Sequence, residues 1–173
     1  MKKYILRKIE PNQDCSQLFE LIIDQYNTSV PLAHQHRFIN VDDYQHWIAE
    51  RLGGYFHDFY VVEEKNDMNI EKIQGFIFSY DYRIYDNHCH IYGYLRYGID
   101  SILLGKFVDI LFKEYPLNKV FLETTENDDK LLKAAYDLGF TQEAMLLENF
   151  FINGQYHNLI ILSLYPQDRK GIL

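Results

Sequence analysis

The residues best suited to chemistry fall in a few short stretches. Leu95-Arg96-Tyr97-Gly98-Ile99-Asp100-Ser101 joins a β-rich run to a helical one. A glycine there lets backbone approach a ligand closely, and the amides of a helix start, backed by the helix dipole, attract an anion. Glu123 stands near the end of a short apolar run; a half-buried carboxylate there orients a base water or an amine, or meets a neighbouring lysine. His88-Cys89-His90 puts two imidazoles on one strand face, but no third and fourth ligand follow at a recognisable metal spacing, so the pair reads as sheet-face histidines with no metal. His34 and His36 read as solvated loop residues or bases at a cleft margin, and Asp42-Asp43 as a helix N-cap pair. Cys15 and Cys89 are far apart and fit neither a disulfide framework nor a CxxC site, which predicts a reducing compartment.

These residues need elements to position them. Tyr4 to Ile9 reads as a strand closed by a turn at Glu10-Pro11-Asn12. Cys15, Leu18, Phe19, Ile22 and Tyr26 recur at three- and four-residue steps, predicting a helix from near Asp14. Residues 27–41 read as irregular, and Tyr44, Trp47, Ile48 and Leu52 as the stripe of a second helix stopped by Gly53-Gly54. Three strands follow, Asp58 to Glu64, Lys72 to Tyr82 and Asn87 to Arg96, whose short connections predict an antiparallel meander. The period then changes: Leu103, Leu104, Phe107, Val108 and Leu111 form a wide helical stripe ended at Tyr115-Pro116. Val120 to Thr124 is a strand, Leu131, Ala134, Ala135 and Leu138 a helix ended by Gly139, and Phe140 to Ile152 with Tyr156 to Tyr165 a hairpin about Asn153-Gly154. The order β-α-α-β-β-β-α-β-α-β-β predicts one α/β (α+β) domain over residues 1–173, a mixed, mainly antiparallel sheet with helices on its faces.

Composition narrows the partners. The chain has 173 residues, 17 Lys and Arg against 25 Asp and Glu, and a formal net charge of -8. That balance argues against nucleic acid, whose phosphates demand cations, and tolerates an amine. Fifteen tyrosines and 12 phenylalanines against nine glycines and four prolines exclude a disordered chain. Arg7 and Lys8 interrupt the only apolar stretch near the start, and no apolar run approaches the ~20 residues that span a bilayer, so the expectation is a cytoplasmic protein without a membrane partner.

The element order, with Leu138-Gly139-Phe140, Glu143 and Glu148-Asn149-Phe150-Phe151-Ile152-Asn153-Gly154-Gln155-Tyr156, resembles the GNAT superfamily of N-acyltransferases. The likeness is greatest to the branch holding ribosomal-protein N-terminal acetyltransferases and bacterial spermidine N-acetyltransferases. The resemblance implies acetyl-CoA as co-substrate, a small-molecule amine or a peptide N-terminus as acceptor, and leaves room for a homodimer. It implies a pyrophosphate loop at Leu95, Arg96, Tyr97, Gly98, Ile99, Asp100 and Ser101, with Gly98 on the first signature glycine, Leu95 in place of Gln or Arg, and Asp100 in place of Gly or Ala. Tyr94 and Arg96 would flank the pantetheine arm as it pairs with the strand. Asn127 would touch that arm, or cap the helix that follows. Many members protonate the leaving thiolate with a tyrosine four residues before the glycine of Gly-Phe. Here Ala135 has that spacing and Tyr136 lies three residues before Gly139, so Tyr136 serves as acid only if the helix turn is shortened by a residue. The resemblance implies deprotonation of the amine through a carboxylate or water, for which Glu123 is a candidate if it orients a base water or the amine instead of meeting a lysine. The altered loop and displaced tyrosine also allow a degenerate domain that binds acyl-CoA or a protein partner.

Overall fold

The computed structural model describes residues 3–26, 38, 40–52, 54, 56–65, 72–152 and 154–171. Its elements follow the expected order: β1 (Lys3–Lys8), α1 (Pro11–Tyr26), α2 (Val41–Arg51), β2 (Phe56–Lys65), β3 (Lys72–Arg83), β4 (His88–Leu95), α3 (Ser101–Glu114), β5 (Lys119–Thr125), α4 (Asp129–Leu138), β6 (Thr141–Ile152) and β7 (Gln155–Leu164). His34, His36, Gly53 and Asn153 lie outside the described residues.

The strands form one seven-stranded sheet in the order β1-β2-β3-β4-β5-β7-β6. β2-β3-β4 is an antiparallel meander, as the short connections predict, and β1, joined to β2 through α1 and α2, pairs antiparallel with β2. β4 and β5 are parallel, because the α3 crossover brings the chain back in the same direction. β7 inserts antiparallel between β5 and β6.

Pairing between β4 and β5 starts at His88↔Lys119 and ends at Ile91↔Leu122. β4 nevertheless runs to Leu95, held on its outer side by β3 through Leu95↔Gly75, and β5 runs to Thr125, held by β7 through Thr125↔Leu159. Each strand keeps its outer neighbour while the two part from each other. The sheet is therefore split at its centre by a wedge whose closed end lies at Ile91 and Leu122.

Alternation along the strands divides the core between two faces. On one, Leu103, Leu104, Phe107 and Leu111 of α3 and Leu131 and Leu138 of α4 bury against Ile91, Val120, Leu122 and Leu162. On the other, Leu18 of α1 and Tyr44, Trp47 and Ile48 of α2 cover Phe59, Phe76, Phe78 and Tyr92.

Three helix starts differ from the sequence-based expectation. α1 begins at Pro11 rather than near Asp14, since proline fits the first turn, where its missing N–H has no partner to lose. α2 is capped by Asn40, whose Oδ1 accepts the Asp43 N–H at 2.9 Å, so Asp42 and Asp43 lie in the first turn instead of at the cap. α4 is capped by Asp128, not Asn127: its carboxylate accepts the Leu131 N–H at 3.1 Å.

Candidate active site

The wedge is lined as a groove of about 450 Å³ by Tyr92–Ile99 on one side and by Thr124, Thr125 and residues 127–131 on the other. Adjacent residues of a strand point to opposite faces. Since Tyr92, Gly93, Tyr94 and Leu95 all border the groove, it is the gap between two strands rather than a hollow on one face.

The loop from β4 to α3 is tied down by backbone. The Arg96 N–H donates to the Gln74 carbonyl at 3.0 Å, and the Gly98 N–H donates to the Leu95 carbonyl at 2.8 Å, closing a turn. Gly98 has φ +86°, a conformation that a side chain makes costly, and a Cβ built there would collide with the Lys130 side chain. Asp100 caps α3: its Oδ1 accepts the Leu103 N–H at 2.8 Å. Its carboxylate is thus directed at its own helix and occupies one of the amides an anion would use.

Across the groove stands the start of α4. Burial pushes the Asp128 carboxyl up from its ordinary value, while the bond from the Leu131 amide holds it down. Lys130 reaches over the gap, donating from Nζ to the Tyr97 carbonyl at 2.7 Å with its stem over Gly98. Two helix N-termini and one ammonium therefore converge on the loop, a setting suited to phosphate despite the carboxylates of Asp100 and Asp128.

Tyr94, Leu95, Arg96, Tyr97, Gly98, Ile99 and Asn127 border this groove. Asp100 and Ser101 follow directly as the cap and first residue of α3. Asn127 meets His157, its amide nitrogen 2.7 Å from Nδ1.

Tyr136 is not brought in. It is 43% exposed, whereas Ala135, at the spacing expected of the acid, is buried in the core. α4 stays regular to Leu138 and ends with Gly139 at φ +101°; the Gly139 N–H reaches the Tyr136 carbonyl and the Phe140 N–H the Ala135 carbonyl. The helix keeps its α-helical rotation through Tyr136, and the ~100° step from buried Ala135 leaves the phenol on the solvent side of α4.

Glu123 has a partner that the sequence reading did not supply. His90 pairs with Phe121 across the β4–β5 ladder, which brings Glu123, two residues further along, onto the same face. Glu123 Oε1 lies 3.1 Å from His90 Nδ1. The imidazole stacks on Phe121, with ring centroids 5.0 Å apart, and meets Tyr80 at 5.4 Å. The two side chains are 21% and 24% exposed, reachable yet held. Lys130 was missed, because it reaches across the groove to a residue far away in sequence, and His90, read only as one of a sheet-face histidine pair, is brought to Glu123 by the register of a parallel pair. Among the described residues no group of three His, Cys, Asp or Glu side chains could hold a metal.

This architecture, with its central wedge, is the fold of the GNAT acetyltransferases. It superposes with a TM-score of 0.75 on the spermidine N-acetyltransferase of Vibrio cholerae in complex with CoA and spermine, over 95% of this chain and 96% of that one at 17% identity. An Acinetobacter baylyi protein assigned as an acetyltransferase gives 0.79 over 97% and 94% at 12% identity.

By sequence, the chain is similar to the spermidine N(1)-acetyltransferase of Vibrio cholerae, 31% identical over 62 residues, 36% of each chain. It is also similar to YdaF of Bacillus subtilis, assigned as a ribosomal N-acetyltransferase, 26% identical over 74 residues, 43% of this chain and 40% of that one. The matched segments span well under half of these relatives' length. No protein-family model matches the chain.

Proposed function

We propose that this chain is an acetyl-CoA-dependent N-acetyltransferase acting on a primary amine of the polyamine type, with a peptide or protein N-terminus as the second acceptor class. The observation that carries the reading is the wedge between β4 and β5, where the ladder ends at Ile91↔Leu122 while both strands continue. An extended arm with its own amides lies in such a gap as an added strand would. The diphosphate then reaches the turn at Gly98 and the start of α3, where backbone amides and Lys130 meet its charge. Asn127 and the Tyr94–Arg96 backbone flank the arm, and its reactive end points to the closed end of the wedge.

Two further observations support an amine acceptor. The chain carries a net charge of -8, which favours a cationic partner. One relative is named a spermidine N-acetyltransferase and has been solved with CoA and spermine, while the other is assigned as a ribosomal N-acetyltransferase, which keeps the protein N-terminus as the second acceptor class. A soluble intracellular setting accords with the free, buried Cys15 and Cys89 and with the lack, among the described residues, of any helix long and apolar enough to cross a membrane.

Calorimetric titration with CoA, followed by thiol release from acetyl-CoA in the presence of spermidine, spermine or an N-terminal peptide, tests this. Binding of CoA with faster thiol release for the polyamines is expected. Failure to bind CoA would remove the acetyltransferase reading. Binding without release for any amine would favour the acyl-CoA-binding domain, which the Asp100 cap and the outward Tyr136 otherwise support.

A further inference from the structure

We propose that His90 is the general base for the acceptor amine and that Glu123 is the positioning residue that sets its tautomer and orientation. The assignment rests on the acetyltransferase reading above.

The carboxylate of Glu123 can only accept, so the hydrogen of the 3.1 Å contact sits on His90 Nδ1. That leaves the lone pair on Nε2, which has no protein partner among the described residues. A base whose tautomer is held by a third group is the arrangement that activates nucleophiles in many enzymes. Phe121 and Tyr80 pack against the ring and fix its plane.

Position agrees with this role. His90 is one residue from the last pair of the ladder, Ile91↔Leu122, and so stands at the closed end of the wedge. Tyr92, the next residue on the same strand face, lines the groove, as does Thr124 beside Glu123. Same-face neighbours on a strand are about 7 Å apart, within reach of a side chain. His90 and Glu123 occupy the sheet face away from α3 and α4, so the acceptor comes to them from the side opposite those helices. A primary alkylammonium holds its proton to about pH 10, as a lysine does, so removal of that proton is a real barrier near neutrality.

Nε2 takes one proton from the ammonium. The freed nitrogen lone pair forms a C–N bond to the thioester carbonyl carbon, and the C–S bond breaks with its electron pair going to sulfur. The second ammonium proton passes from the new, N-protonated amide to the thiolate, and His90 returns its proton to solvent. Thiols ionise near pH 8.5, so the leaving group departs without a protein acid, in keeping with the outward Tyr136.

The test compares His90→Gln, Glu123→Gln and the double variant for kcat, KM of spermidine and CoA affinity by calorimetry, with wild type alongside. His90→Gln should lower kcat on the order of 100-fold or more, with CoA affinity unchanged. Glu123→Gln should lower kcat by roughly tenfold and add nothing to the loss in the double variant, because it acts through His90. Added imidazole should restore part of the activity of His90→Ala, which a structural role would not allow. If wild type turns over and His90→Gln stays within roughly twofold of it, the base is overturned while the acetyltransferase reading stands. If Glu123→Gln loses more than His90→Gln, the carboxylate is itself the base through water and the assignment is wrong. If wild type neither binds CoA nor acetylates an amine, the acetyltransferase reading fails and takes this assignment with it.

Discussion

One face of the sheet is packed mainly with aliphatic side chains, and the other is richer in rings. Leu103, Leu104, Leu111, Ile91 and Leu162 fill the space under α3 and α4 around the buried ring of Phe107, with Phe112 packed against the margin. Under α1 and α2, Phe59 stacks on Phe78 at 5.1 Å, and Phe76 on Phe78 at 6.1 Å, beside Tyr44, Trp47 and Tyr92. The aliphatic side holds two Asp-capped helix starts, Asp100 and Asp128, at the mouth of the wedge, where dipoles favour an anion. The aromatic side presents π faces that already hold cations, with Lys119 over Phe121 at 4.8 Å and Arg51 over Trp47 at 4.6 Å, and ends in the carboxylate of Glu123. On the proposed reading, a transfer between an anionic donor and a cationic acceptor would need both environments at one gap, and the split between β4 and β5 brings them together.

The sharpest way to break this division is to empty the core on each side. Phe107→Ala and Phe78→Ala each remove a fully buried ring and should each cost about 3–5 kcal/mol in denaturant unfolding. Of the two, only Phe107→Ala should also weaken CoA binding, since α3 carries the loop. Equal weakening by both would show that the faces are not separate.

Gly98→Asp adds a charge and a Cβ where φ is +86° and Lys130 leaves no room. A loss of CoA affinity on the order of 100-fold or more is expected in the folded variant. Lys130→Met keeps the stem over Gly98 and deletes the ammonium, so CoA affinity should fall by about tenfold, with less loss at high salt. Asp100→Asn, which retains the cap and removes the opposing charge, should change affinity in the other direction by a few-fold at most. The smallest effect is expected at Tyr136: Tyr136→Phe should leave kcat within about twofold, because the phenol is on the solvent side of α4. A large fall in kcat there would require α4 to rotate on substrate binding.

Much of this was legible before any coordinates. The eleven elements follow from short-range pattern alone, a change from period two to wide helical stripes at Ser101 and again near Leu131. Gly98 and Gly139 were marked by their positions at a helix start and a helix end, and both take positive φ. Cap positions were less legible, since Asn40 and Asp128 compete with nearby Asp and Asn residues of nearly equal cap preference, and the choice is settled by which side chain can reach the third amide.

The sequence by itself determined the order of elements and the Gly98 turn into α3, because each depends on steric and hydrogen-bonding preferences within a few positions of the chain. Only the tertiary structure decided that β4 and β5 part after Ile91 and Leu122, that Glu123 meets His90 rather than a lysine, that Lys130 closes on Tyr97, and that Tyr136 is turned outward. The residues joined in these contacts lie 33 positions apart in each case. Strand register and helix rotation set such contacts, and both are fixed by the sum of packing over two sheet faces rather than by any local run of residues.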